Sequence, residues 1–375
     1  MVAFTRRASL AAAGSILPLA LERRASAISE PPPRAVLPLE LSRAGVPLVR
    51  LLLGGGEFVA AVDTGSPFLI VPAEDDCDAQ PPKLSLYGCV APGDFTTRGG
   101  GATREVYGKN VAGRVAWYRS QLRFADASSA GAWQPRAGAL TFGAADRPLV
   151  QESGALLGLI KRTNANATAS GVRDADRRPT ALAQLGLWPS WATPDEVWPR
   201  QSRAAADGGG AREVVAYRLD ANSLTLSAAP LLAPTADALP LVDLRRYGDS
   251  VEHVAVAADG VVVDGVRLRP SRRPVFVVFD SGLTSVVVSR SLVAEAGLDP
   301  AAVRSVAVEV RSERGARRVL RAREVQGGVQ VVPLDWFDRG GAAEADRPHV
   351  IALGMALLGQ GALTVDVDAG RADFR

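Results

Sequence analysis

The sequence predicts an all-β protein of two lobes, on three observations. Its 37 Gly and 25 Pro punctuate short Val-rich runs, a pattern of many strands and tight turns rather than a helical bundle. Its 375 residues suffice for about two domains of common size, more than one hydrophobic core usually organises. Two well-separated segments also repeat one pattern of apolar run, Asp, hydroxyl residue, Gly and apolar run. Hydrophobic residues at 47%, charged residues at 22% and a mean hydropathy of +0.08 supply a buried core and exclude wholesale disorder.

Several function classes fall away. No apolar run approaches the roughly 20 residues of a spanning helix, so stable membrane insertion is not expected. With two Cys, and with His253 and His349 far from either, no Cys/His metal site is expected. No nucleophile elbow, phosphate-binding loop or complete dinucleotide fingerprint occurs, and no cofactor is expected. The glycine triplets at 54–56, 99–101 and 208–210 read as turns. Net charge is only +3, the only lysines are Lys83, Lys109 and Lys161, and basic residues alternate with acidic ones, which argues against a nucleic-acid partner. The densest basic stretch, Arg311 to Arg323, reads as a solvated hairpin with its turn at Gly315.

Residues 1–27 have the layout of a targeting segment. Arg6-Arg7 precedes an apolar stretch from Ala11 to Leu21, and Ala25-Ser26-Ala27 supplies a small-residue cleavage site. The arginine pair resembles a twin-arginine export signal, implying a mature start near Ile28 and a bacterial periplasm or plastid (thylakoid) lumen. Asn166-Ala167-Thr168 would matter as a glycosylation sequon only on the secretory route. Residues 28–36 form a Pro-rich leader, stiffened by Pro31, Pro32 and Pro33, that approaches the first strand. Export makes an oxidising compartment, and the even count of two Cys fits one disulfide.

The chemistry lies in the repeated pattern. One copy is the run 58–72, with Asp63-Thr64-Gly65 at its centre, and the other is 275–289, with Asp280-Ser281-Gly282. The flanking runs hold each carboxyl at the end of a buried strand, where desolvation raises its pKa unless partners stabilise the charge. If the copies face each other across a pseudo-twofold axis, the two carboxyls share one proton and serve as acid and base at once. The ionised member takes a proton from an intervening water while the other donates to a carbonyl oxygen under attack. Thr64 and Ser281 offer hydroxyls to tie the loops together, and Gly65 and Gly282 allow the turn and a close approach of backbone to substrate.

On these residues the chain resembles the pepsin-like aspartic endopeptidases, from about Leu37 to Phe374. Further motifs support the resemblance: Ala155-Leu156-Leu157-Gly158-Leu159 and Ile351-Ala352-Leu353-Gly354-Met355 follow the two Asp residues as the family's loop beneath each acid does. Tyr107-Gly108, with Gly113 completing the turn, is similar to the family's substrate-covering flap, and Cys77 and Cys89 stand where the family often has a small disulfide loop. The resemblance implies an N-terminal lobe at 37–234 and a C-terminal lobe at 235–375, changing near Pro230, Pro234 and Pro240. It places Val214–Leu219 and Ser223–Ser227 in a sheet joining the lobes and 362–374 as the last hairpin. Between Lys161 and Arg212, with Trp188, Trp191 and Trp198, it leaves an irregular insert with a short helix from Thr180 to Leu187.

Two departures stand out. The family's hydroxyl three residues after each Asp is kept at Ser66 but is Leu283 in the second copy, which raises the dyad's lower apparent pKa unless Thr284 compensates. The Trp commonly seven residues after the first Asp is Ile70. The implied function is a monomeric, exported aspartic endopeptidase acting on polypeptides, with Asp63 and Asp280 catalytic. The alternative is a catalytically silent binding or inhibitor protein of the same fold.

Overall fold

In the computed structural model the apolar runs between Gly and Pro form, among the described residues, 24 strands in three sheets. The structure describes residues 32–54, 56–73, 102–107, 111–125, 133–146, 154–163, 178–190, 211–249, 251–268, 271–322, 328–332 and 347–375. The targeting segment, Cys77, Cys89, Gly108, Trp191, Trp198, Asn166 and the glycine triplets at 99–101 and 208–210 lie outside the described residues.

Sheet membership follows chain order. After β1 (Arg34–Pro38) comes a ten-stranded sheet of β2 (Glu40–Leu41), β3 (Pro47–Leu53), β4 (Gly56–Asp63), β5 (Leu69–Pro72), β6 (Thr103–Tyr107), β7 (Val111–Phe124), β8 (Trp133–Ala145), β9 (Ala155–Gly158), β10 (Gly186–Pro189) and β11 (Arg212–Glu213). Next are β12 (Ala216–Leu219), β13 (Ser223–Ser227) and β14 (Leu239–Pro240). An eight-stranded sheet follows: β15 (Ala255–Val263), β16 (Val266–Arg267), β17 (Val275–Phe279), β18 (Val286–Ser289), β19 (Val306–Arg311), β20 (Arg317–Arg321), β21 (Val329–Val332) and β22 (His349–Leu353). Finally β23 (Leu363–Asp366) and β24 (Arg371–Phe374) return to β1 and β12–β14, making a six-stranded sheet in the order β1-β13-β12-β23-β24-β14.

The sequence repeat is a repeat of topology. β3-β4-β9-β5-β8 and β15-β17-β22-β18-β21 run through the same alternation: antiparallel, parallel, antiparallel, parallel. Each Asp-bearing strand, β4 or β17, is separated from its successor, β5 or β18, by the strand that carries the later apolar-Gly segment. A hairpin leaves the far edge of each set, attached by its second strand, β7, in the first and by its first strand, β19, in the second. The long β7 also pairs with β8, so β3, β4, β9, β5, β8 and β7 close into a six-stranded barrel.

Closure and layering explain the unbroken apolar runs. Phe58, Ala60 and Val62 of β4 face the main core while Val59 and Ala61 face a second one. In β17, Val277 and Phe279 face the main core, and Phe276 and Val278 a third. A strand buried on both faces needs no polar alternation, and each Asp is delivered at the C-terminal end of such a strand.

Several expectations shift. β1 begins at Arg34, inside the Pro-rich stretch, because residues 34–38 pair in full with β13. The helix predicted from Thr180 to Leu187 is only α1 (Ala181–Gln184), capped by the Thr180 side chain; Gly186 and Leu187 instead pair with β8 and β11. β12 and β13 do join the same sheet as the last hairpin, β23–β24. Pro230 and Pro234 lie in the unpaired connection, which is fastened by the buried Asp366 carboxylate accepting from the Leu231 and Leu232 amides. The Arg-rich hairpin turns at Gly315 as expected, but it is tied down: Arg311 pairs with Asp259, and Arg318 with Asp373.

At the other end of β22 from its glycine, a polar knot pins the helix α2 (Arg290–Glu295). His349 is fully buried, its Nδ1 2.9 Å from Ser291 Oγ and its Nε2 3.0 Å from Glu295 Oε1, and Glu295 also accepts from Ser271 and Arg273. Burial pushes the imidazole below its ordinary value against the pull of Glu295, with Arg273 adding to the depression. Partial burial alone would raise Glu295, but hydrogen bonds from Ser271, Arg273 and His349 hold it at about 2. A depressed imidazole costs stability as pH falls through the unfolded His value of about 6.5, and a depressed carboxyl loses its contribution as pH falls from about 4.5. Thermal midpoints should therefore drop on acidification from pH 7 to 3. Glu295→Gln should lower the midpoint at pH 7 and flatten the decline below pH 4.5, as scanning calorimetry across that range would show; an unchanged profile would contradict the linkage.

Candidate active site

The two Asp-hydroxyl-Gly turns meet. The Thr64 hydroxyl donates to Phe279 O at 2.9 Å and accepts from the Ser281 amide at 2.9 Å. Reciprocally, the Ser281 hydroxyl donates to Val62 O at 2.7 Å and accepts from the Thr64 amide at 3.0 Å. Both side chains are fully buried, so no water competes for these four bonds. The tie expected from the hydroxyls is thus a closed, twofold-like ring in which each residue uses its donor and its acceptor.

The glycines have a different reason from the expected one. A Cβ on Gly65 would lie 2.6 Å from Asp280 Cγ, and one on Gly282 would lie 2.7 Å from Asp63 Cγ. Each carboxyl therefore occupies the space that a side chain in the opposite turn would fill. The room that Gly65 and Gly282 leave goes to the partner carboxyl, which brings Asp63 and Asp280 together.

Their surroundings are unequal. Asp63, 6% exposed, accepts from the Gly65 amide at 2.7 Å and from the Ser66 hydroxyl. Asp280 is half-buried and accepts the matching amide, Gly282 N, at 3.0 Å. At the Ser66 position stands Leu283, whose side chain packs beside Val242 against the apolar cluster of Leu244 and Phe276. Thr284 is half-buried, and among the described residues no hydrogen bond joins it to Asp280. Desolvation, then the charge of Asp63 and the hydrogen bond between the two carboxyls, pushes Asp280 well above the ordinary carboxyl range. Of the two carboxyls, Asp280 is the one that burial and its neighbour push toward the neutral form.

Beneath each turn passes the later glycine segment. A Cβ on Gly158 would lie 2.3 Å from Ser66 O, and one on Gly354 would lie 2.3 Å from Leu283 O. Gly158 N donates to Phe68 O and Gly354 N to Ser285 O, both carbonyls five residues beyond their Asp. Only glycine permits backbone packed this closely.

Other expected residues are placed less fully. Tyr107 ends β6 in register with Val111, and Gly113 lies within β7 opposite Glu105 instead of completing a turn. Ile70 is buried against Phe68, Trp117 and Leu156. Tyr217 was not singled out from sequence. It is fully buried on β12, and its hydroxyl is held protonated by desolvation and by the nearby Asp63 charge; a Tyr within a run resembling an ordinary strand carries no signal of this. Among the described residues no group of three or more His, Cys, Asp or Glu could hold a metal ion, and no helix is long and apolar enough to cross a membrane.

No family model matches the sequence, and no curated protein matches it.

The chemistry thus rests on the geometry itself: two carboxyls in contact, one accepting from two donors and the other pushed toward its neutral form. Such a pair can take a proton from one neighbour and give one to another in a single step.

The ring of four bonds should carry much of the local stability. Thr64→Val removes the acceptor for the Ser281 amide and the donor to Phe279 O, leaving buried polar groups without partners at about 1–3 kcal/mol each. The expected loss is about 2–4 kcal/mol of unfolding free energy, with Thr64→Ser close to the parent. Denaturant titration checks this, and equal stabilities for the Val and Ser variants would refute it.

Proposed function

We propose that the chain is an aspartic endopeptidase of bilobal, pepsin-like architecture, with Asp63 and Asp280 as its catalytic residues. The observation that carries this reading is reciprocity: each carboxyl sits in the glycine gap of the opposite turn, held there by the Thr64–Ser281 ring. A turn-forming Asp needs no such arrangement, and a pair of them in contact shares a proton.

In this reading Asp63 is the base. Two donors stabilise its charge, and it takes a proton from a water between the carboxyls. Asp280 is the acid, donating its proton to the carbonyl oxygen of the scissile peptide as the water oxygen bonds to carbon. The product of this step is a neutral tetrahedral diol. Its collapse breaks the C–N bond, with the leaving nitrogen taking the proton that Asp63 acquired and Asp280 recovering its own. The substrate is an extended polypeptide under the β6–β7 hairpin, with Tyr107 and Gly108 as the flap residues that cover it. The enzyme acts as a monomer after export, and a Cys77–Cys89 disulfide suits that compartment.

Leu283, Ile70 and the insert at 161–212 are the features that favour a silent binding protein. Leu283 removes an outer donor from the carboxyl that must stay neutral, however, so it spares the proton that the mechanism needs. Asp63→Asn and Asp280→Asn should each keep the fold and cut cleavage of a denatured protein substrate by more than about a thousandfold. Turnover surviving in either variant, measured between pH 3 and 7, would remove the aspartyl mechanism; tight partner binding by an inactive parent would favour the silent reading.

The pH profile tests the asymmetry. The acid limb reports loss of the pair's single charge, and the basic limb reports ionisation of both carboxyls. From sequence, Leu283 is expected to move the acid limb; in the present reading it stands beside Asp280, the member taken as the proton donor. A hydroxyl donor at 283 favours the ionised form of Asp280, so Leu283→Thr should move the basic limb down by about one pH unit, since a hydrogen bond to a charged group is worth roughly that much. The acid limb should stay in place. Movement of the acid limb instead would reverse the assignment of acid and base.

A further inference from the structure

Among the described residues β6 lies at the end of its sheet with β7 as its one neighbouring strand, paired through the five residues Thr103–Tyr107. An edge strand with one neighbour frays readily unless a side chain fastens it.

One side chain does so. Trp117 lies on β7, 1% exposed, two residues beyond Val115, the partner of Thr103. Its indole Nε1 donates to Thr103 Oγ1 at 2.8 Å, at the point where β6 begins. The same ring meets Phe68 edge to face, with centroids 5.1 Å apart and planes at 79°. Gly143 stands directly opposite Trp117 on β8, where a Cβ would strike the Val115 and Ile70 side chains that share the indole's apolar cluster. The Arg178 guanidinium closes the stack, 4.7 Å from the ring centroid.

Phe68 belongs to the turn that carries Asp63. It stands five residues after the acid, and its carbonyl accepts from Gly158, the glycine packed beneath that turn. The indole therefore touches the start of the hairpin with its polar edge and the Asp63 loop with its ring.

We propose that Trp117 is a positioning residue that couples the β6–β7 hairpin to the Asp63 loop, so that the hairpin's register and angle are set by the turn that holds the reacting carboxyl. Its consequence for turnover rests on the aspartyl reading above; the mechanical link does not.

Hydrogen exchange followed by mass spectrometry on the full chain tests the link without any need for activity. Thr103→Val removes the acceptor while leaving Trp117 and its packing in place. Exchange of the Arg104–Tyr107 amides should rise about fivefold to tenfold, the equivalent of one net hydrogen bond, while β4 and β17 stay unchanged. Thr103→Ser should restore protection. Phe68→Leu, which leaves the Trp117–Thr103 bond intact but weakens the ring's seat on the Asp63 loop, should also raise exchange in β6. On peptide substrate, Thr103→Val should raise KM severalfold with kcat within about twofold and both pH limbs in place, because orientation is lost and proton transfer is not. Unchanged β6 exchange in Thr103→Val or Phe68→Leu, or failure of Thr103→Ser to restore it, would overturn the coupling. If exchange responds as expected while Asp63→Asn still turns over substrate, the coupling stands and the aspartyl reading falls.

Discussion

Everything in the centre of this molecule depends on two buried hydroxyls, Thr64 and Ser281, bonding to each other's backbone. Each hydroxyl donates to a carbonyl in the opposite copy and accepts from the other's amide. Because the ring satisfies all four groups without water, it tolerates only one relative placement of the two turns. That placement sets the glycines against the carboxyls, and burial together with the neighbouring Asp63 pushes Asp280 toward its neutral form. The chain of causes runs from a pair of side-chain oxygens to the setting of the two acids.

The strands explain why the turns are rigid enough for this. β4 and β17 are buried on both faces, and each has the apolar-Gly strand alongside it in parallel. Gly158 and Gly354 then carry the backbone to within contact of the turns themselves. A reacting group placed by a loop alone would wander, whereas these loops are clamped from the side by the opposite copy and from below by their own.

Legibility in the sequence followed physical scale. Asp63, Asp280 and the hydroxyls were visible because a carboxyl at the end of an apolar run demands a partner, and the demand appeared twice in the same order. The β-rich architecture was visible through Gly, Pro and Val. What could not be read were contacts across long separations. Gly65 and Gly282 looked like room for substrate, and only the fold revealed that the room belongs to a residue more than two hundred positions away. Gly113 looked like a turn residue until the Tyr107–Val111 register set it within β7, opposite Glu105. The helix at 181–184 stopped early because Gly186 and Leu187 find ladder partners in β8 and β11, a tertiary preference that local propensity does not encode. Trp117 replaces nothing in the linear motif; its role comes from meeting Phe68 and Thr103 in space.

The reciprocal seating of the carboxyls also bears on how such a duplicated molecule can diverge. Each half supplies the gap that the other's carboxyl fills, so the pairing belongs to neither half but to the seam between them. The two copies are free to drift apart in their outer strands, as the closed first barrel and the differently attached hairpins illustrate. At the seam they are not free: a side chain gained at Gly65 injures Asp280, and one gained at Gly282 injures Asp63. Inheritance of the site is therefore joint, with the conformational tolerance of one repeat written into the chemistry of the other.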